Sequence, residues 1–238
     1  MSAAQLLGVI FDMDGVLVDS HAAHRNAWRA FFQTLGRDVP ERELDFILDG
    51  RKRADILRHF LGECPDAELE ELGRRKDLIF REMRLEISAV PGAVPLVREL
   101  HANGIALALA TCASRSRAHS MLAGLGLQQC FRVIVSGEDV TLGKPDPAVY
   151  RMASERVAIN PQSLLAVEDA ISGVHAATGA GLHCIGVALH ETPENLRSAG
   201  AVHVVPNFES VSAKNLEGTL YDCHSASHAS RAALPANS

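Results

Sequence analysis

From residue 91 onward the chain alternates short apolar segments with helical patterns, and this alternation restricts its fold more than any other feature. An earlier apolar stretch, Leu6 to Ile10, predicts a first strand. The later strands are predicted at residues 105–110, 132–135, 164–167, 183–187 and 201–205. Apolar strands that are separated by helices form a parallel sheet covered on both faces. The sequence therefore predicts an α/β fold with a parallel sheet as its core.

Residues from about 20 to 85 follow a helical pattern without strands. Apolar residues such as Ala27, Phe31 and Leu35 recur at helical spacing, and the whole segment predicts about four helices. Because the segment follows the first strand directly, it should lie over the carboxyl edge of the sheet. We expect an α/β core of residues 1–18 and 88–220 and a helical cap of residues 19–87. Residues 221–238 are small and polar without periodicity, which predicts a disordered tail.

Composition narrows the classes of partner. The 238 residues are 47% hydrophobic and 22% charged, as in ordinary soluble domains, and the formal net charge of -6 disfavours nucleic-acid or anionic membrane surfaces. The apolar runs are far shorter than the roughly 20 residues that span a bilayer, and no basic-then-apolar leader begins the sequence. The five cysteines lack metal-binding spacing and indicate free thiols. We expect a cytoplasmic protein that binds neither nucleic acid nor membrane.

The first strand ends in two carboxylates one residue apart, Asp12 and Asp14, followed by Gly15. Side chains at i and i+2 of an extended segment point the same way, so both carboxylates can enter one small volume. Such close anions stay ionised only with a cation or proton between them. The pair indicates a metal-assisted nucleophile and acid. A simple acidic turn is the alternative, because Asp and Gly are common turn residues.

Polar residues follow three later predicted strands as well. They are Thr111 to Ser114 after the second strand, Lys144 in a proline-bounded turn after the third, and Glu168 with Asp169 after the fourth. Thr111 and the free amides of Cys112 and Ala113 suit phosphate oxygens, and Ser114 is also a helix N-cap. Each group alone has a structural explanation, such as a surface lysine or a helix-start acid pair. Their recurrence at four strand ends of one sheet favours a shared site.

Together, FDMDGVLVDS, ATCAS, GKPDP and VEDAISG resemble the four motifs of the haloacid dehalogenase superfamily, in the same order, over roughly residues 6–205. The helical insertion is similar to the small cap of the branch that includes β-phosphoglucomutase and sugar-phosphate phosphatases. The resemblance implies a Rossmann-like parallel sheet core with an inserted α-helical cap domain. It also implies a magnesium-dependent enzyme that transfers phosphoryl groups.

The resemblance implies roles for the strand-end residues. Asp12 would be the nucleophile that forms an aspartyl-phosphate, and Asp14 the general acid and base. Thr111 would bind the transferring group, while Lys144 would offset its charge. Cys112 stands where the family commonly has a small hydroxyl residue. The implied Mg²⁺ ligands are Asp12, Asp14 through its backbone carbonyl, Glu168 and Asp169.

The cap should select the substrate. His24, Arg53 and Lys76 stand at positions where β-phosphoglucomutase-like proteins carry a histidine, an arginine and a lysine, so they would bind the rest of a sugar phosphate. Solvated basic side chains are the alternative, and His24 has the further alternative of orienting Asp14. Trp28 is predicted to pack the first cap helix.

The resulting expectation is hydrolysis of a small sugar phosphate monoester by a monomeric enzyme. The alternative is a phosphohexomutase of the β-phosphoglucomutase type, in which a sugar hydroxyl replaces water. Halide release, which works without metal, is disfavoured by Asp14 and the Glu168–Asp169 pair. A phospho-accepting receiver domain is disfavoured because such modules are about half this length and lack a cap.

Overall fold

The computed structural model describes residues 5–83 and 87–232, with side chains to residue 225. Its strands are β1 (Gly8–Phe11), β2 (Val18–Asp19), β3 (Ser88–Ala89), β4 (Ala106–Ala110), β5 (Phe131–Val135), β6 (Leu164–Glu168), β7 (His183–Val187) and β8 (His203–Val205). Its α-helices are α1 (His21–Thr34), α2 (Glu41–Leu48), α3 (Arg53–Leu61), α4 (Asp66–Glu82), α5 (Ala93–Ala102), α6 (Arg115–Gly124), α7 (Ala148–Val157), α8 (Ile171–Gly179), α9 (Pro193–Ser198) and α10 (Ala213–Ala232).

Six strands form one parallel sheet in the order β5-β4-β1-β6-β7-β8. The central strand β1 is fully buried, and its Val9 lies opposite Leu107 of β4 and Leu165 of β6. Such a strand must be apolar on both faces, which explains the continuous apolar run before Asp12. The predicted α/β fold with a parallel sheet is confirmed.

Helices cover both faces of this sheet. One apolar core includes Val97 of α5 and Leu122 of α6, and the other includes Val149 of α7 and Val174 of α8. Each helix therefore buries one apolar stripe against the sheet, as parallel sheets require. The two cores hold the strands in place, so their carboxyl ends form one fixed edge.

Helices α1 to α4 form a second unit with its own apolar core, which includes Phe32, Leu44 and Leu57. The chain enters this helical cap after β2 and leaves it before β3, and these two strands pair antiparallel at the junction between cap and core. Trp28 is 2% exposed and stacks against Phe32, so its predicted packing role is confirmed.

The loop between α2 and α3 rests on the strand ends of the core. Lys52 Nζ donates to the carbonyl oxygens of Val140 (2.7 Å) and Thr141 (3.1 Å). On the other side, the backbone N–H of Ser172 donates to Asp49 Oδ1 at 3.0 Å, and its hydroxyl donates to the Asp49 carbonyl. These contacts hold the cap closed over the carboxyl edge of the sheet.

The C-terminal prediction is wrong for residues 221–232, which continue helix α10 instead of forming a disordered tail. Leu216 and Leu220 are buried in the core that contains α5, and the backbone N–H of Ala213 donates to Glu99 Oε1 at 3.0 Å. Once anchored there, a helix can extend through small residues because alanine has high helix propensity. Residues 233–238 lie outside the described residues. No helix in the described part of the chain is long and apolar enough to cross a membrane.

Candidate active site

The predicted strand-end residues meet at the carboxyl edge of the sheet. Asp12 directly follows β1, Thr111 follows β4, and Glu168 is the last residue of β6. Lys144 reaches the same point from the loop between β5 and α7. These side chains, with Asp169, are almost fully buried. Parallel strands deliver their ends to one edge, which explains how positions far apart in sequence converge.

Lys144 lies between two carboxylates at the centre of this edge. Its Nζ donates to Asp12 Oδ1 at 2.5 Å and to Glu168 Oε1. Burial works against the charged ammonium, but the charges of Asp12 and then Glu168 outweigh it and hold the pKa of Lys144 well above its ordinary value. The lysine is therefore a fixed positive charge beside Asp12.

Asp12, Glu168 and Asp169 form a buried cluster whose carboxylate oxygens lie within 4.8 Å of one another. Burial raises the pKa of all three carboxyl groups, and that of Asp12 rises to about 7. The single positive charge of Lys144 therefore does not balance the cluster. An all-oxygen donor set with surplus negative charge suits a hard divalent cation such as Mg²⁺.

Two glycines leave room for this cluster. A Cβ on Gly15, whose φ is +77°, would lie 1.8 Å from Asp169 Oδ2, and a Cβ on Gly173 would lie 2.1 Å from Glu168 Cδ. Larger residues there would displace the carboxylates. The residues present therefore fit a metal ion of this class.

Asp14 points away from the carboxylate cluster and towards the cap. Its carboxylate accepts hydrogen bonds from Ser20 Oγ and from Arg117, whose Nη1 is 2.9 Å from Oδ2, and His24 Nε2 lies 3.7 Å from Oδ1. Burial opposes ionisation, but Arg117 and His24 outweigh it and hold the pKa of Asp14 well below its ordinary value. The two aspartates of the first motif thus have separate surroundings.

Further residues, which were not predicted from the sequence, contact the carboxylates of the candidate metal site. His21 Nε2 lies 3.0 Å from Asp169 Oδ2, and the His21 ring stacks on that of His190 at 4.1 Å. The hydroxyl of Tyr150 donates to Glu168 Oε1 at 2.7 Å. The position of His21, one residue after a motif ending in Ser20, was the available signal for its role.

The loop after β4, which is predicted to bind phosphate, is held by two local hydrogen bonds. Thr111 Oγ1 accepts from the backbone N–H of Ala113 (3.1 Å), and Ser114 caps α6 by accepting from the backbone N–H of Arg117 (3.4 Å), as predicted. Thr111, Cys112 and Ala113 all line the cavity described below. Burial raises the pKa of the Cys112 thiol to about 11, so it stays protonated at neutral pH.

Two of the three predicted cap residues come together above Asp14. Lys76 is 3% exposed, its Nζ lies 3.1 Å from His24 Nδ1, and it sits 4.9 Å from the centre of the Phe80 ring. Burial, followed by repulsion from Arg117, lowers the pKa of Lys76 to about 7. Burial and, next in size, the charge of Lys76 lower the pKa of His24 to about 3. This histidine is therefore neutral at pH 7.

Arg53, the third predicted cap residue, is paired with Asp77 of α4. It nevertheless lines the same cavity, which has a volume of about 670 Å³. Asp12, Thr111 and Asp169 line this cavity from the core, and the cap contributes His24 and Lys76 as well as Arg53. The predicted cap residues and the loop after β4 thus border one cavity, whereas Lys144 does not line it and is connected to it through its contact with Asp12.

A parallel sheet whose strand ends carry a buried lysine and an acidic cluster, beneath a helical cap, defines an α/β protein with a capped site that could hold a metal ion. The sequence pattern of the haloacid dehalogenase-like hydrolase family matches residues 9–187, and the chain belongs to this family. The predicted resemblance is confirmed, and the protein is an enzyme of that family.

Its relatives include phosphatases and a mutase. The chain is 36% identical over 189 residues to hexitol phosphatase A of Escherichia coli (strain K12), covering 78% of this chain and 85% of that protein. It is 33% identical over 211 residues to a phosphorylated carbohydrates phosphatase of Thermotoga maritima, covering 83% and 93%. Its fold is similar to β-phosphoglucomutase of Clostridium difficile, with a TM-score of 0.81, 25% identity, and coverage of 92% of this chain and 98% of that structure.

Proposed function

We propose that this enzyme hydrolyses small sugar phosphate monoesters by way of a phosphorylated Asp12. The observation that carries the proposal is the buried cluster in which Lys144 contacts Glu168 and also Asp12, which lines the cavity. Phosphate monoesters hydrolyse extremely slowly in water, and catalysis depends mainly on positioning and on offsetting negative charge. A fixed ammonium beside a buried carboxylate provides both.

The reaction has two steps at phosphorus. An oxygen of Asp12 attacks the phosphorus, the bond to the sugar oxygen breaks, and Asp14, which has to enter this step protonated, gives that oxygen its proton. Water then attacks the phosphorus of the aspartyl-phosphate while Asp14 takes its proton. The bond between phosphorus and Asp12 breaks, which releases inorganic phosphate and restores the carboxylate.

The remaining strand-end residues hold the transferring group. Lys144 offsets charge on its oxygens, and Thr111 with the amide of Cys112 binds them, joined by the amide of Ala113 when it leaves Thr111 Oγ1. The carboxylates of the Asp12 cluster and the backbone carbonyl of Asp14 would hold Mg²⁺, which would supply further positive charge at this point.

The cap supports a small, polar substrate. A cavity of about 670 Å³ accommodates a phosphorylated monosaccharide or hexitol, and His24, Arg53 and Lys76 offer hydrogen bonds to its non-reacting groups. Relatives named as carbohydrate phosphatases favour the same substrate class. A monomeric state and a cytoplasmic location remain predictions.

The second candidate is a phosphohexomutase, favoured by the similarity to β-phosphoglucomutase and by the position of His24 against Asp14. In that case a sugar hydroxyl attacks the aspartyl-phosphate in place of water. Incubation with β-glucose 1-phosphate and catalytic glucose 1,6-bisphosphate separates the two. Glucose 6-phosphate that forms without inorganic phosphate would contradict hydrolysis.

A phosphate-release assay over a panel of sugar phosphates tests the main proposal. We expect turnover with Mg²⁺, none after chelation, and a loss on the order of 10⁴-fold in Asp12→Asn. Asp222→Asn, at an exposed position on α10, is the matched control and should behave as wild type. Full activity of Asp12→Asn would show that the nucleophile is misassigned.

A further inference from the structure

Arg117 connects the acid/base aspartate to the cap. It lies in the first turn of α6, is 13% exposed, and contacts both carboxylate oxygens of Asp14. Its guanidinium also stacks over the ring of Phe80 from α4, 5.2 Å from the ring centre. Arg117 therefore touches both the floor and the roof of the cavity, which it also lines.

In this arrangement both oxygens of Asp14 accept hydrogen bonds from Arg117. Oδ1 accepts from Ser20 Oγ and Arg117 Nη2, and Oδ2 accepts from Arg117 Nη1. A general acid or base must come within hydrogen-bond distance of the atom whose proton it exchanges. A sugar oxygen or a water that approaches Asp14 therefore competes with Arg117 for the same carboxylate.

The surroundings of Arg117 favour an additional anion. Lys76 and Arg53 of the cap share one carboxylate partner, Asp77, and Arg117 pairs with Asp14, so three basic side chains have two carboxylates between them. The Nε of Arg117 is buried and has no hydrogen-bond partner among the described residues. A buried donor without a partner and a cationic surplus are both relieved when an anionic group binds.

We propose that Arg117 gates Asp14, and that a second anionic group on the substrate opens the gate. This group is a phosphate or carboxylate that is not transferred. It binds the Arg117 guanidinium in place of Asp14, and Asp14 then becomes available for proton transfer. The inference rests on the proposed function and narrows its substrate class to phosphate esters with a second anionic group.

The exchange is chemically balanced because no covalent bond changes. Guanidinium binds phosphate and carboxylate groups through the same paired N–H donors, so the incoming anion can replace both contacts with Asp14. A ligand shifts such an equilibrium only by binding one state better than the other. A substrate without the second anion leaves Arg117 on Asp14 and is turned over slowly.

The test compares sugar bisphosphates with the matching monophosphates in the wild type, Arg117→Gln and Arg117→Lys. We expect the wild type to favour bisphosphates in kcat/KM by about tenfold or more, as a charge-assisted contact of this kind allows. In Arg117→Gln the preference should largely vanish, mainly through a higher KM for bisphosphates. Arg117→Lys keeps one donor group and the charge, so its preference should be intermediate.

Arg115→Gln is the matched control, since Arg115 lies on the same helix but is half exposed, pairs with Asp139 and does not line the cavity. It should keep the wild-type preference, and circular dichroism checks that each variant is folded. A wild type that favours monophosphates, or an equal fall in kcat for both substrates in Arg117→Gln, would overturn the gate. Failure of the proposed function looks different, because the wild type would then release phosphate from neither substrate.

Discussion

Two buried lysines, Lys144 at the sheet edge and Lys76 in the cap, have opposite electrostatic surroundings. Lys144 Nζ touches the carboxylates of Asp12 and Glu168, and its pKa is held well above the ordinary value. Lys76 Nζ touches neutral His24 and aromatic rings, and its pKa falls to about 7. Asp77 is 3.9 Å away from Lys76 but is paired with Arg53.

The difference separates two kinds of buried charge. The core supplies two carboxylates at its strand ends as counter-charges for Lys144, so this lysine is paired even without substrate. The cap leaves Lys76 without a close carboxylate of its own, at a cost in stability. We infer that the core cluster is built for the reacting phosphoryl group, and the cap cluster for a negative charge that the substrate brings.

Lys144→Met should give the largest effect. It removes the positive charge from a cluster of three buried carboxylates, so we expect kcat to fall on the order of 10³-fold. The free energy of unfolding without Mg²⁺ should fall by about 3 kcal/mol, because the carboxylates lose their buried partner. Steady-state kinetics and urea unfolding measure the two quantities. Unchanged stability would mean that the lysine is not the balancing charge.

Lys76→Met should change stability in the opposite direction. Methionine fills a similar volume between Trp28 and Phe80 without a buried charge, so the free energy of unfolding should rise by about 1–3 kcal/mol. The KM for sugar phosphates should rise about tenfold, because a cation that faces the substrate is lost. Urea unfolding and a substrate titration check both. A destabilised Lys76→Met would remove the contrast between the two lysines.

The pH dependence of this stability difference gives the smallest effect. The pKa of Lys76 is about 7 in the folded protein against 10.5 for the free side chain, so the unfolded state binds more protons between these values. The cost of burying Lys76 is therefore complete below pH 7 and declines as pH rises towards 10.5. The stability gap between Lys76→Met and wild type should narrow over that window in urea unfolding at pH values of about 6, 8 and 9.5. A constant gap would mean that Lys76 keeps its proton throughout.

The sheet and its strand-end residues could be predicted because their signals are local. An apolar strand followed by Asp12 and Asp14, or by Glu168 and Asp169, is visible within a few positions, and the parallel sheet then brings the strand ends together. The cap was predictable as helices because apolar spacing is also a local property. The pairing of His24 with Lys76 was less accessible, because it depends on how α1 packs against α4.

Arg117 shows why some site residues were missed. It is separated from Asp14 by 103 positions, and it belongs to a helix with no other mark of function. Only the Ser114 N-cap could have pointed to it, because this cap places Arg117 in the first turn of α6, next to the loop that is predicted to bind phosphate. The helical ending of the chain was missed for a similar reason, since α10 depends on burial of Leu216 and Leu220 against distant residues.

The sequence by itself determined the α/β architecture, the order of the strand-end residues and the family, because these depend on periodicity and on short motifs. Tertiary structure alone decided which charges are balanced. Burial and distance divide Asp12 from Asp14, surround Lys144 with carboxylates, pair Arg117 with Asp14, and leave Lys76 without a close carboxylate of its own. Electrostatic energy depends on separation in space and on exclusion of water, and neither can be read from positions along the chain.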